Sequence, residues 1–164
     1  MAEDNHTLLV VGGGEVADAL VSIATTLGWA ATVVDDLDSV HAALPRADAV
    51  VVLSHHDGLD GPALAAALDS GAGYIGAMGS RRTQDRRRTW LTEHGVSDDA
   101  QAVIHGPAGL DIGSDSPGEI AVSIIAEVIS ARRDVTGGVL RDRPGPIHPQ
   151  LAPGEALCPG EPAR

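Results

Sequence analysis

Four stretches of this chain gather glycine, histidine, aspartate, serine and arginine in patterns suited to holding an anion or moving a proton. The first, Val10-Val11-Gly12-Gly13-Gly14-Glu15-Val16-Ala17, contains Gly12-x-Gly14-x-x-Ala17. After a strand and at the start of a helix, Gly12 permits a tight turn, Gly14 lets a pyrophosphate approach the backbone, and Ala17 lets the helix pack close. Asp35 or Asp36 closes the next strand, where a carboxylate grips a ribose hydroxyl and repels a 2′-phosphate. Glu15 beside the turn opposes a phosphate, and the same glycines also serve an α/β scaffold that holds no nucleotide.

The second stretch is Ser54-His55-His56-Asp57-Gly58-Leu59-Asp60. Imidazole titrates near neutrality, so His55 with Asp60 suits a substrate contact or acid/base work. The alternative is a solvated loop with Asp60 as a helix cap. Adjacent residues of one loop rarely direct all their side chains to one centre, so no metal site is expected here. The third stretch, Gly76-Ala77-Met78-Gly79-Ser80-Arg81-Arg82, carries a strand end through glycine into a helix start. Free N–H groups and the helix dipole at Gly79 and Ser80 favour an anion, and Arg81 or Arg82 would add a forked contact. The alternative is an exposed helical face laced with Asp85, and Arg86, Arg87 and Arg88 suit a protein partner better than chemistry. In the fourth, Gly109-Leu110-Asp111-Ile112-Gly113, Asp111 either faces a ligand or pins its own loop.

These stretches need a common frame, and the apolar periodicity supplies one. Leu8 to Val11, Thr32 to Val34, Ala49 to Leu53, Gly73 to Ala77 and Ala102 to Ile104 read as five strands, apolar without clean alternation, as when both faces are covered. Val16, Leu20, Ile23, Ala24 and Leu27 recur at helical spacing, with Gly28 placed to end that helix. Further helices are predicted over Pro62 to Leu68, Thr83 to Leu91 and Pro117 to Arg133. Ser116, Pro117 and Glu119 give the last one a capping-box start. Strands alternating with helices predict an α/β fold, a Rossmann-like parallel sheet of about five strands flanked by helices. The sites then lie along its carboxyl edge, where open α/β sheets bind ligands.

The chain has 164 residues, enough for one domain, read here as 1–133, followed by a tail over 134–164. The tail holds six of the ten prolines and is expected to be extended or partly disordered. A formal charge of -12 argues against nucleic acid or an anionic membrane as partner and leaves proteins and small molecules. All eleven basic residues are arginine, with no lysine or phenylalanine, as a GC-rich coding bias produces. Cys158 is the only cysteine, so no disulfide framework forms within one chain, and a reducing cytoplasm is the expected compartment. The start lacks the order of a signal peptide, and no apolar run is long enough to span a membrane.

Taken in order, Gly12-x-Gly14-x-x-Ala17, Asp35, Ser54-His55 with Asp60, Tyr74-Ile75-Gly76-x-x-Gly79-Ser80-Arg81-Arg82 and Gly109-Leu110-Asp111-Ile112-Gly113-x-x-Ser116-Pro117-x-Glu119-Ile120-Ala121 resemble the C-terminal Rossmann domain of the XdhC/CoxI family, from about Leu8 to Arg133. The resemblance implies an accessory protein that binds molybdenum cofactor, assists its sulfuration and delivers it to a xanthine dehydrogenase-type apoenzyme. Its implied partners are that molybdenum hydroxylase and a sulfurtransferase. The family's Thr-His-Asp stands here as Ser54-His55-His56, an arginine after the second strand is lacking, and Glu15 occupies a position often held by histidine. Full-length members carry a further domain ahead of this unit, so the resemblance implies that the cofactor contacts of that domain are expected from another chain. The alternative reading is an NAD-dependent oxidoreductase or NAD-binding sensor, supported by the glycine turn and Asp35 but without a domain to cover a nicotinamide; a homodimer would supply that cover. A metal-dependent hydrolase using His55, His56, Asp57 and Asp60 is the more distant choice.

Overall fold

A computed structural model of the chain describes residues 6–145 and residue 147. Five parallel strands, β1 (Thr7–Val11), β2 (Ala30–Val34), β3 (Ala49–Val52), β4 (Tyr74–Ala77) and β5 (Ile104–His105), form one sheet in the order β2-β1-β3-β4-β5. They alternate with helices α1 (Glu15–Thr26), α2 (Leu37–Ala43), α3 (Asp57–Ser70), α4 (Arg81–Glu93), α5 (Asp98–Gln101) and α6 (Pro117–Arg132), with single 3-10 turns at Leu44–Arg46 and Leu140–Asp142. This is the Rossmann-like α/β architecture expected from the alternation of short apolar runs and helical periods.

The core has two halves because strand side chains alternate between faces. Leu8 and Val10 meet Ala17, Leu20 and Ala24 of α1 and Ala121, Ile124 and Val128 of α6. Leu9 and Val11 meet Val40 of α2, Leu59 and Leu64 of α3 and Leu91 of α4. All four residues of β3 are buried, as a strand covered on both faces must be. β2 departs from that expectation: it lies at the sheet edge and its Val33 is 41 % exposed.

Other differences have local causes. α2 was not anticipated; it starts because Asp36 accepts a hydrogen bond from Ser39 N (2.8 Å) and places Val40 in the core. α3 begins at Asp57 rather than at Pro62, which lies inside the helix, and His56 rather than Asp60 is its N-cap. β5 is two residues long and includes His105, one position beyond the predicted strand. α4 runs from Arg81 to Glu93 rather than from Thr83 to Leu91 because Ser80 caps it, β2 begins at Ala30 rather than Thr32, and Ala102 and Val103 lie before β5 rather than in it. The signals predicted for the end of α1 and the start of α6 hold. Gly28 takes a positive φ of 75° just past α1. Ser116 accepts from Glu119 N (3.3 Å) while Glu119 accepts from Ser116 N (3.0 Å), closing the capping box. The predicted tail over 134–164 is described only to residue 145 and at residue 147, and Cys158 lies outside the described residues.

Candidate ligand site at the carboxyl edge

The chain runs from β1 to β2 on one side and returns to β3 on the other, so the strand order reverses between β1 and β3. A crevice at that switch point is where open α/β sheets take ligands. Gly12 sits there with φ +101, donating its N–H to Val34 O (2.8 Å). A Cβ on Gly12 would lie 2.7 Å from Ser54 N, so the close approach of the turns after β1 and β3 requires glycine. Gly14 differs: at φ +114 its Cβ position has no heavy atom within 4 Å, which leaves open space in front of α1. No side chain among the described residues caps α1. Its first N–H groups and dipole therefore offer an anion-favouring end, with the exposed Glu15 carboxylate in the first turn opposing it.

The two aspartates after β2 divide their roles. Asp36 is the α2 cap, and its bonds from the Ser39 hydroxyl and N–H hold its carboxyl below the usual carboxylate range. Asp35 is exposed and makes no hydrogen bond among the described residues. After β3, Ser54 is buried and its hydroxyl accepts from His56 N (3.1 Å), tightening the turn. His55 and His56 are both exposed.

Asp60 and Arg87 need reassignment. Asp60 is 2 % exposed, and its Oδ2 receives both Arg87 Nε (3.0 Å) and Nη2 (2.8 Å). Arg87 also donates to Ser54 O (2.9 Å) and Met78 O (2.6 Å), the backbone carbonyls just beyond β3 and β4. Gln84 extends the same network, donating to Ala77 O (2.9 Å) and accepting from Arg87 Nη1 (3.3 Å). Arg87, read from sequence as surface for a partner, is instead a buried brace 3 % exposed across the sheet edge. Asp60, read as a partner of His55, is spent on neutralising that brace. Only its Oδ1 is left without a hydrogen bond among the described residues. Arg86 pairs with Asp57 (3.1 Å) on the surface.

At the exit of β4, Gly79 takes φ +130 with Thr83 Cγ2 3.1 Å from its Cβ position. Ser80 is the N-cap of α4, accepting from Thr83 N (3.2 Å), and Arg81 and Arg82 follow it, both exposed. The loop after β5 returns over β4 through Ala108 N to Ala77 O (3.0 Å). Gly109 packs against the Ser123 hydroxyl, which donates to Leu110 O (2.7 Å). Asp111 is exposed and makes no hydrogen bond among the described residues, so it does not pin its loop.

One supporting residue went unread in the sequence. Glu127 of α6 accepts from Tyr74 OH (2.6 Å) and Gly109 N (2.7 Å) and meets His105 Nδ1 at 3.0 Å. Burial, then the Glu127 bond, pushes the Tyr74 hydroxyl far above the ordinary tyrosine range, so it remains a donor. Tyr74 explains Gly76: a Cβ there would strike the Tyr74 ring. The available signal was a carboxylate in the body of α6, within the apolar stripe Ile124, Ile125 and Val128. Among the described residues no three His, Cys, Asp or Glu side chains cluster as metal ligands. Nor is any helix among them long and apolar enough to cross a membrane.

The family model of the XdhC Rossmann domain matches residues 8–128. Among curated proteins, the chain is 32% identical over 126 residues to "Molybdenum cofactor insertion chaperone PaoD" of Escherichia coli, covering 76% of this chain and 40% of that protein. It is 27% identical to the uncharacterized protein YqeB of Escherichia coli, over 87% of this chain and 30% of YqeB. It is 35% identical to a protein of Bacillus subtilis named as a probable subunit of xanthine dehydrogenase, over 54% of this chain and 24% of that one. A crystal structure described as a xanthine dehydrogenase from Bacillus halodurans shares the fold, with a TM-score of 0.63 and 24% identity, over 85% of this chain and 45% of that one. The chain thus spans less than half the length of the curated relatives it matches.

Proposed function

Since the chain belongs to the XdhC Rossmann domain family, we propose that it is an accessory protein that binds molybdenum cofactor and assists maturation of a molybdenum hydroxylase. The observation that carries this reading is the open space at Gly14 in front of the uncapped α1 N-terminus, held against the turn after β3 by Gly12. That place suits a phosphate: the backbone N–H groups supply donors, and no side-chain carbon among the described residues fills the approach. The cofactor, when bound, supplies a redox-active molybdenum centre and a phosphate handle. Gly12, Gly14, Gly79 and Ser80 would hold the handle, Arg81 and Arg82 would add charge-assisted contacts, and His55 would contact the pterin. The Arg87–Asp60 pair holds the Ser54 and Met78 carbonyls and so positions the two turns that carry His55 and Gly79. The name of PaoD supports this reading. The apoenzyme and a sulfurtransferase are the proposed protein partners, and the cytoplasm the proposed compartment.

A second reading rests on Asp35, an exposed carboxylate just past β2 with no partner among the described residues. It suits the ribose of NAD and disfavours a 2′-phosphate. Calorimetric titration of the purified chain with molybdenum cofactor, NAD, NADP and AMP at fixed salt separates the two. Selective cofactor binding is expected. Selective NAD binding would replace the maturation reading with a sensor or oxidoreductase, and silence from all four would overturn both for this chain alone.

A further inference from the structure

Beyond α6, Asp134 at φ 51 turns the chain into an arm over 135–144, fastened at its start by Val135 N to Ser130 O (3.0 Å). The arm meets the loop after β5 at Gly137, where an added Cβ would lie 2.8 Å from the Leu110 side chain. Between arm, helix and loop lies a groove of about 730 Å³, its lining including Leu110, Ala126, Ile129, Val135, Val139 and Leu140. Ile129, Val135, Val139 and Leu140 are exposed, Val139 by 61 %. The backbone N–H groups of Thr136, Gly137, Gly138 and Val139 make no hydrogen bond among the described residues. Exposed apolar side chains beside unmet main-chain donors are what a peptide-binding groove offers an extended segment.

The geometry points to residues 148–164 of the same chain as the occupant, with Leu151 and Leu157 as the side chains that enter the groove. Place is the first reason. Arg143 and Pro144 belong to the groove's lining, so the chain leaves the described region at its rim. A tether of a few residues keeps such a segment at an effective concentration of order millimolar, ahead of a separate chain of equal intrinsic affinity. Reach is sufficient, since seventeen residues extend to about 50 Å at ~3.1 Å per residue, more than the ten residues of the arm can span.

Chemistry and charge agree with place. Pro149, Pro153, Pro159 and Pro162 restrict the backbone before docking, so little freedom is lost on binding, and the segment's carbonyls are the acceptors that the arm's N–H groups lack. Leu151 and Leu157 supply apolar side chains to match Ile129, Val139 and Leu140. Against a chain of net charge -12, the segment brings only Glu155 and Glu161 set against Arg164, so long-range repulsion hardly opposes it. An occupied groove holds Leu110 in place, and with it the loop over 109–113. The docking does not depend on which ligand the carboxyl edge takes.

Cys158 is the only cysteine, so a nitroxide attached to it places a single paramagnetic probe on the segment in the full chain. Amide resonances of Leu110, Ile129, Gly137 and Val139 should broaden, while those of Val40 and Ala43 in α2, which packs on the opposite face of the sheet from α6, stay sharp. In a mixture of isotope-labelled chain without nitroxide and unlabelled chain carrying it, no selective broadening is expected. Leu151→Asp with Leu157→Asp should abolish the broadening at an unchanged circular dichroism spectrum. In protein without nitroxide, the same pair of substitutions should speed hydrogen exchange of the amides over 136–139 severalfold. Ile129→Asp, which charges the groove from the α6 side, should speed the same amides, so the test stands even where the nitroxide itself disturbs docking. Broadening spread evenly over the surface, or exchange indifferent to both variants, would overturn the assignment. Selective broadening in the mixture would overturn it too, by giving the groove to a second copy.

Discussion

Arg87 is one buried cation that fixes two loops at once, because its planar head carries donors in several directions. Its partners Asp60, Ser54 O and Met78 O come from α3 and from the exits of β3 and β4. Arg87→Met leaves Asp60 as an uncompensated buried carboxylate, and chemical denaturation should register a loss of about 3–5 kcal/mol. Adding Asp60→Leu should recover part of that loss, since two apolar groups replace a desolvated pair. Gly12→Ala combines φ +101 with a clash against the Ser54 backbone. It should cost at least the ~1–3 kcal/mol of a strained backbone site, and more than Gly14→Ala, which meets strain but no clash. Gly12 was readable from spacing alone, because a strand, a glycine turn and a helix constrain one another locally. Arg87 was not: its neighbours Arg86 and Arg88 are exposed while it is buried, and only the packing of α4 on α3 selects among the three.

α6 is the element whose sequence specifies its own start. Ser116→Ala removes the hydroxyl bonded to Glu119 N and should lower stability by about 0.5–2 kcal/mol in urea titration. Bonds from Ser116 N and Asp115 N depress the Glu119 carboxyl below its ordinary value of 4.5. A depressed carboxylate contributes stability above its unfolded value and loses it as pH falls through its folded value. Unfolding curves from neutral pH down into the acid range should therefore show a shallower decline for Glu119→Gln than for the wild type. α3 was less legible than α6. Pro62 suggested a first turn, yet the helix begins at Asp57 because the tight Ser54–His56 turn sets its direction before proline is reached. β2 read as a covered strand because its residues are apolar, and apolar residues at an edge look the same in sequence as those at the centre.

For the whole molecule, an excess of negative charge means that any anion must be held by a local field rather than by the surface at large. Arg81 and Arg82 are exposed at the start of α4 and supply that field at one end of the sheet edge. Arg81→Ala with Arg82→Ala should weaken binding of the phosphate-bearing ligand that titration identifies and flatten its salt dependence, with little change in thermal midpoint. Unchanged affinity would remove both arginines from the site. The same ligand at a hundredfold excess over its Kd should stabilise the fold by about 2.7 kcal/mol, which a thermal scan detects. The linear chain determined the α/β class, the glycine turns, the capping box of α6 and the placing of the four loops on one edge, because each depends on neighbours within a few residues. Tertiary structure alone decided that Asp60 and Arg87 neutralise each other, that Glu127 joins Tyr74, His105 and Gly109, and that β2 is an outer strand of the sheet. These depend on which distant segments share a dielectric and a hydrogen-bond partner, and local periodicity carries no record of that.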